Sequence, residues 1–462
     1  MSSRRPDQLD AMLAEARSGG QLDSEGSFTI AGEAAIGKLA AFQLPRVTAW
    51  ILKMVQGAVV SQAPELRIRQ SHEATTFEFS PVGGFQLEEL RRSLLSPQIS
   101  GEGAERHLAI GLRAVGFADK RAFTLALDQE GTRTILGWNG QKLVQRAEPH
   151  EGEVTRLQIG VAFPEEDKGR QLGGLMKSSG RATAEYKEVV LNAEVCPIPL
   201  TFDGRRIDRI EAPPSQELAG KMATLSLGWP ALKQDEASFG RPQGIATNLS
   251  GWRPTDRFTD SRVFFSLGDL TQERVNSMVR LRYHYDIVSH RSKHKSFQFR
   301  NIPRASFCLW IRDGVICHRE RADVPVRAVS YDLYLPGDGL PTDISGLTLR
   351  PGEEQALRLR QAQEHLRWQV EETLDKVKSH TPKPFGVHVA LSGAMGVMGL
   401  LATPTTFGKS ALAGFALLNM AISAYDKSKV MDDCAHHLVR LRDSLGSGPQ
   451  GLQFRPAGHP RY

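Results

Sequence analysis

Gly408-Lys409-Ser410 ends like a phosphate-binding loop, in which backbone N–H groups and a lysine hold phosphate and the hydroxyl serves magnesium. That chemistry needs a glycine five residues before Gly408, where Thr403 stands, and a parallel sheet behind the loop. The residues that follow read as helix, so the triplet is expected to be a turn between helices. Residues 274–304 mix Arg280, Arg282, Arg291, Lys293, Lys295, Arg300 and Arg304 with Tyr283, Tyr285, Phe297 and Phe299. Cations among aromatics can grip a single strand of nucleic acid by phosphate contact and base stacking. A solvated strand-loop-strand with its aromatics in the core is the commoner use of such a pattern, and nucleic acid is not the expected partner. His290 and His294 share a helical spacing, but Arg291, Ser292 and Lys293 lie between them and no carboxylate is near, so no metal site is expected. No Ser/His/Asp or Cys/His set assembles from spacing alone.

The elements around residues 47–124 organise the rest. Val47, Trp50, Ile51, Met54, Val55, Ala58 and Val59 form the i, i+3, i+4, i+7 stripe of a helix with one buried face. ELRIRQ and TTFEFS alternate apolar and polar residues as half-buried strands do. SPVGGF is a turn, and QLEELRRSLL is a short helix with Leu87, Leu90 and Leu94 on one side. HLAIGLRAVGFADKRAFTLAL sets Gly111 and Gly116 around a small apolar helix before a strand.

This order resembles the nucleotide-binding domain of the GHKL ATPases, the gyrase, heat-shock-chaperone, mismatch-repair and histidine-kinase group. The resemblance implies an ATP site built from three parts. A first helix carries Glu-x-x-x-Asn, whose Glu activates water and whose Asn ligates magnesium. An Asp-x-Gly-x-Gly turn reads adenine, and a glycine-bearing lid wraps the phosphates. On this chain the Glu position falls at Lys53, the Asn position at Gly57 and the Asp position at Ser80. The two turn glycines fall at Val82 and Gly84, and the lid keeps Gly111 and Gly116. A lysine is a cation at neutral pH unless deeply buried, and glycine offers magnesium no oxygen. The expected cofactor is therefore none, with ATP or another nucleotide bound at most without a magnesium site. A rival is an active ATPase whose acid comes from elsewhere, such as Glu33 or Glu65.

Length and composition bound the rest. At 462 residues the chain should form two or three domains, and a formal charge of +6 permits an acidic partner without demanding one. Cys196, Cys308, Cys317 and Cys434 lack paired spacing, which argues against a zinc site and for a reducing, cytoplasmic setting. No apolar run follows the arginines at the start, so no signal peptide is expected. A loose tail over 1–26 precedes a GHKL-like domain over 27–163, with a tight turn at Asn139-Gly140. Residues 171–343 are expected to form a strand-rich domain of the ribosomal S5 type. Its clearest parts are the hairpin SFCLWIRDGVICHRE, tipped by Asp313-Gly314, and the strand VRAVSYDLYL.

A long charged helix opens near Pro351 and runs to about Ser379 within a helical region over 351–445. Inside it, 385–402 and 410–425 are apolar, with Gly393, Gly396 and Gly399 spaced for close helix contact. A buried hairpin is the expected reading, and insertion in a membrane the alternative. Residues 446–462 should be a flexible tail. The fold class expected is α+β: a GHKL-like α/β sandwich, an S5-like domain and a helical region. The expected function is non-catalytic binding, assembly or regulation in the manner of a chaperone-like relative. Its partner would be a protein, with self-association through the C-terminal helices.

Overall fold

Alternation of apolar and polar residues builds the first sheet. In the computed structural model, residues 32–82, 84–96, 99, 103–152, 154–164, 172–208, 222–227, 258–259, 263–266, 276–289, 298–301, 305–322, 328–380, 428–429, 432–445 and 454–456 are described. The fold is α+β, with two sheets. The strands of the first are β1 (Leu66–Gln70), β2 (Ala74–Phe79), β3 (Phe123–Gln129), β4 (Thr132–Trp138), β5 (Leu143–Pro149), β6 (Arg156–Ala162), β7 (Leu200–Phe202) and β8 (Arg205–Arg206). They run in the order β5-β4-β3-β6-β2-β1-β7-β8, antiparallel except where β7 lies parallel to β1. Leu66, Ile68, Phe77, Phe79, Leu125 and Ile159 point to one face and are buried, as a period of two demands. That face is covered by α2 (Trp50–Val60), α3 (Leu87–Leu95), α4 (Ala104–Arg113) and α5 (Leu172–Asn192), and α1 (Gly32–Gln43) packs on α4 and the turn after it.

Helix α2 departs from the amphipathic expectation. Every residue from Trp50 to Ala58 is buried, while Val47, expected in the apolar stripe, lies in a short 3-10 turn before the helix and is exposed. The sheet covers one side of α2, α4 and α5 cover two others, and a hairpin from the second sheet covers the last. A buried carboxylate fixes α5 in place. Glu185 accepts Trp50 Nε1 at 3.2 Å, Thr75 Oγ1 at 2.8 Å and Arg121 Nη1 at 2.7 Å, so a single charge ties α5, α2, β2 and the segment before β3 together. The Arg121 guanidinium lies 5.1 Å from the Trp50 ring centroid and 5.2 Å from that of Phe163.

The first sheet extends beyond the expected boundary at residue 163. After α5, β7 returns to pair with β1 and β8 pairs with β7, so this sheet reaches residue 206. The turn at Asn139-Gly140 also differs from expectation. Gly140 has a φ of +93°, but Asn139 stays out of the positive-φ region that a type I′ turn requires. Instead Asn139 Oδ1 accepts the N–H groups of Gln141 at 3.0 Å and Lys142 at 2.9 Å, closing a longer loop over 139–142. Tight two-residue turns occur at Glu130-Gly131, Asp203-Gly204 and Asp313-Gly314, where both residues have positive φ.

The second sheet contains β9 (Met222–Leu227), β10 (Phe258–Thr259), β11 (Val263–Ser266), β12 (Asn276–Ser289), β13 (Gln298–Asn301), β14 (Ser306–Arg312), β15 (Val315–Ala322), β16 (Val329–Pro336) and β17 (Phe454–Pro456). Its main path is β10-β9-β12-β16-β14-β15-β17, with β11 and β13 on β12. α6 (Glu353–His380), which starts two residues after Pro351, lays Ala362, Leu366, Val370, Leu374 and Val377 on this sheet. Cys434, Leu438 and Leu441 of a helix over 432–445 join the same core. β17 lies in the segment expected to be a flexible tail, and pairs with β15. All four cysteines are free thiols. Among the described residues no helix is long and apolar enough to cross a membrane. The tail over 1–26, the apolar pair over 385–425, Gly408-Lys409-Ser410, and the run from His290 to Phe297 lie outside the described residues.

Candidate functional site

Lys53 lies wholly inside the protein, midway along α2. Its ammonium donates to Gln56 Oε1, one turn on, at 2.6 Å and faces Nδ1 of His107 on α4 at 3.4 Å. An ammonium has only donors, so Nδ1 is the accepting nitrogen and the neutral ring carries its proton on Nε2. Nε2 lies 3.3 Å from Asp313 Oδ2, at the tip of the β14–β15 hairpin. Gln56 makes a second link to the same tip, its Nε2 donating to the Arg312 carbonyl at 3.1 Å.

The tip reaches this far because of its backbone. Asp313 and Gly314 take φ values of +49° and +77°, the geometry of a tight hairpin turn. A register shift in the β14–β15 pairing leaves Cys317 as an extra residue, bending the hairpin just behind the tip. Val315 then enters the core of the first sheet, together with Leu347 from the turn after β16. That turn also brings Gly346 over the lysine, where an added Cβ would lie 3.3 Å from Nζ.

Burial governs the charge here. It pushes the Lys53 pKa down to about 7; Asp313 works against this, while Arg106 and Arg312 add to it. Burial likewise lowers His107, against its hydrogen bond to Asp313. Burial alone would raise Asp313, but His107, Arg312 and Lys53 outweigh it and hold the carboxyl below its usual range. Asp338, behind the tip, is raised by burial and by the neighbouring Asp313. The Cys317 thiol is pushed up to about 12 by burial and is inert as a nucleophile at neutral pH.

The other residues expected at the site have other surroundings. Gly57 packs under α4: an added Cβ would be 2.7 Å from Leu108 Cδ2. Gly111 faces α2, where a Cβ would meet Met54 Cε, Lys53 Cβ and the Trp50 carbonyl, and Gly116 faces Phe123 and Trp138. These three glycines therefore allow close approach of packed elements. Ser80 is half-buried at the end of β2; Val82 is exposed and its N–H donates to the Ser61 carbonyl at 3.0 Å, and Gly84 has a φ of +78° with open space beside it. Glu65, just before β1, pairs with Arg67, and Glu33 lies in the first turn of α1. Among the described residues no three His, Cys, Asp or Glu side chains are grouped to hold a metal ion.

Gln56, His107 and Asp313 complete the site; the sequence singled out neither Gln56 nor His107, and marked Asp313 only as a turn residue. A lysine inside the apolar run WILKMV was the one local signal, since a charge there has to find partners from elsewhere in the fold.

Comparison with protein-family models finds no match, and comparison with curated proteins finds none. Among solved structures, the chain is similar to the B subunit of DNA gyrase from Myxococcus xanthus, at 11% identity and a TM-score of 0.37 over 70% of this chain and 89% of that one. It is also similar to the N-terminal domain of a DNA repair protein, at 10% identity and a TM-score of 0.36 over 72% of this chain and 96% of that one. Gyrase belongs to the group that the central stretch resembles, but likenesses at these scores decide nothing.

Proposed function

We propose that this chain is a GHKL-like protein of the chaperone and mismatch-repair kind that acts by binding, assembly or regulation and does not hydrolyse ATP. The observation that carries the reading is the enclosure of Lys53: a wholly buried lysine stands where the resemblance puts the general base, and its neighbours seal it. A general base must accept a proton from water, which needs an accessible acceptor within hydrogen-bond reach. Here the ammonium is enclosed by Gln56, His107 and the second sheet. Gln56 Oε1 and Asp313 Oδ2 are already engaged, by Lys53 and by His107, and Leu108 fills the space beside Gly57. These residues do not fit a magnesium–nucleotide complex. In this reading the site is a junction between the two sheets, and the chain's partner is a protein.

Magnesium-dependent ATP turnover by the purified full chain tests the proposal. Turnover no higher than a buffer blank is the expected result. Turnover that Ser80→Ala or Lys53→Met abolishes, in variants with unchanged circular dichroism, overturns it.

A further inference from the structure

We propose that the Lys53–His107–Asp313 chain is a proton-released latch: it holds the β14–β15 tip on α2 and α4 while His107 is neutral, and lets the tip lift when the chain takes up protons. This rests on reading the site as a junction between the two sheets.

With Lys53 as an ammonium, the geometry allows one protonation state of His107 in which both of its contacts are hydrogen bonds. Nδ1 must accept from Lys53 and Nε2–H must donate to Asp313. A second proton on the ring sets Nδ1–H against the ammonium 3.4 Å away, turning an attraction into a like-charge contact. Among the described residues, the second sheet reaches the site through the hairpin tip and through the turn that carries Gly346. The base of the hairpin is held separately. Leu309, Ile311, Ile316 and Tyr334 pack with Val195, Tyr334 donates to Glu194 Oε1 at 3.0 Å, and Arg319 donates to Asn192 Oδ1 at 3.2 Å. The tip can therefore lift about an anchored base.

Proton linkage gives the direction. The groups facing one another are Lys53 on α2, Arg106 and His107 on α4, Arg312, Asp313 and Cys317 on the hairpin, and Asp338 with Arg358 behind it. Lys53, His107 and Asp313 all hold protons less firmly in the docked state than in water, so each favours lifting as pH falls through its window. The Cys317 thiol stays protonated over the range used below. Asp338 has the opposite sign, and opposes the latch only toward the acid end. With Lys53 at about 7 when docked and its ordinary value when solvated, the lifting equilibrium changes about tenfold between pH 8 and pH 6 from this group alone.

Amide hydrogen exchange on the full chain from pH 5.5 to pH 8, without nucleotide, tests the latch. The readout is protection of residues 312–315 relative to β3 and β6 in the same sample. We expect the ratio to fall about tenfold from pH 8 to pH 6 and further by pH 5.5. Lys53→Met should remove the part of the change around neutrality. His107→Gln keeps an acceptor and a donor without a titrating proton, and should remove the more acidic part. A ratio constant across this range overturns the latch, as does a profile that neither substitution alters. Should His107→Gln fail to fold, NMR titration of the wild-type His107 ring decides: an apparent pKa below that of a free histidine supports the latch, and one at or above it overturns it. The readout involves no ATP, so its outcome is independent of the turnover test.

Discussion

Gly314 is seated so closely on Val59 that an added Cβ would lie 2.8 Å from Val59 Cγ2, and 2.7 Å from Pro197 Cδ. The tip of one sheet thus touches the end of the central helix of the other through a residue that has no side chain. Gly204 has nearly the same φ, +76° against +77°, in a turn of the same kind with nothing within 4 Å. The two glycines separate backbone strain from contact.

Gly314→Ala is expected to lower the melting temperature more than Gly204→Ala does. Both pay for a left-handed alanine, roughly 1 kcal/mol. Only Gly314→Ala adds overpacking, typically about 1–3 kcal/mol. Equal effects in thermal denaturation would mean that the tip does not bear on Val59.

Lys53→Met should change how stability depends on pH. The pKa of Lys53 falls from 10.5 to about 7 on folding, so between those values the unfolded chain binds the extra proton and wild-type stability rises with pH. Below about pH 7 the cost of burying the charge is fully present; above about 10.5 it is gone. The variant lacks this term and should be the more stable of the two near neutrality, with an advantage that shrinks toward pH 10. The upper bound is on the order of a few kcal/mol, reduced by the contacts that Gln56 and His107 lose. Urea titrations from pH 6 to pH 10 measure it, and parallel profiles for the two proteins would contradict the burial of a titrating amine.

Glu185→Ala leaves the buried Arg121 guanidinium with only its longer pair to Asp119, at 3.9 Å, and also strips Trp50 and Thr75 of an acceptor. Breaking such a pair costs roughly 3–5 kcal/mol. The double variant Glu185→Ala/Arg121→Met should lose much less than the sum of the two single changes, because each single change strands the other group. Additive losses in denaturant midpoints would show that the pair is not coupled.

Tyr283→Phe tests the anchoring of the C-terminal helix. The Tyr283 hydroxyl on β12 donates to Asp433, which also accepts Asn301 Nδ2 at 3.0 Å, while His437 Nε2 lies 3.2 Å from that amide nitrogen. Losing the hydroxyl should cost about 1–3 kcal/mol and raise amide exchange over 432–445 before it affects the first sheet. Uniform loss of protection in both sheets would contradict a local anchor.

Local pattern alone determined much of this protein. Alternation in ELRIRQ and TTFEFS, the apolar spacing through α2 and α4, and the Asp-Gly pairs at 203–204 and 313–314 specify strands, helices and tight turns, because each depends on neighbours a few residues away. The same pattern also sets a lysine, Lys53, inside the apolar run WILKMV. What surrounds α2 was decided by tertiary packing. A stripe on a helix predicts one buried face, but the sheet, two helices and a hairpin close on α2 from every side, and they come from distant parts of the chain. The same holds for the site: Lys53, His107 and Asp313 belong to three separate elements with no shared spacing, and only the fold sets them within hydrogen-bond reach. Burial depends on every element that covers a residue, so the charge state of Lys53 became legible only with the whole chain folded around it.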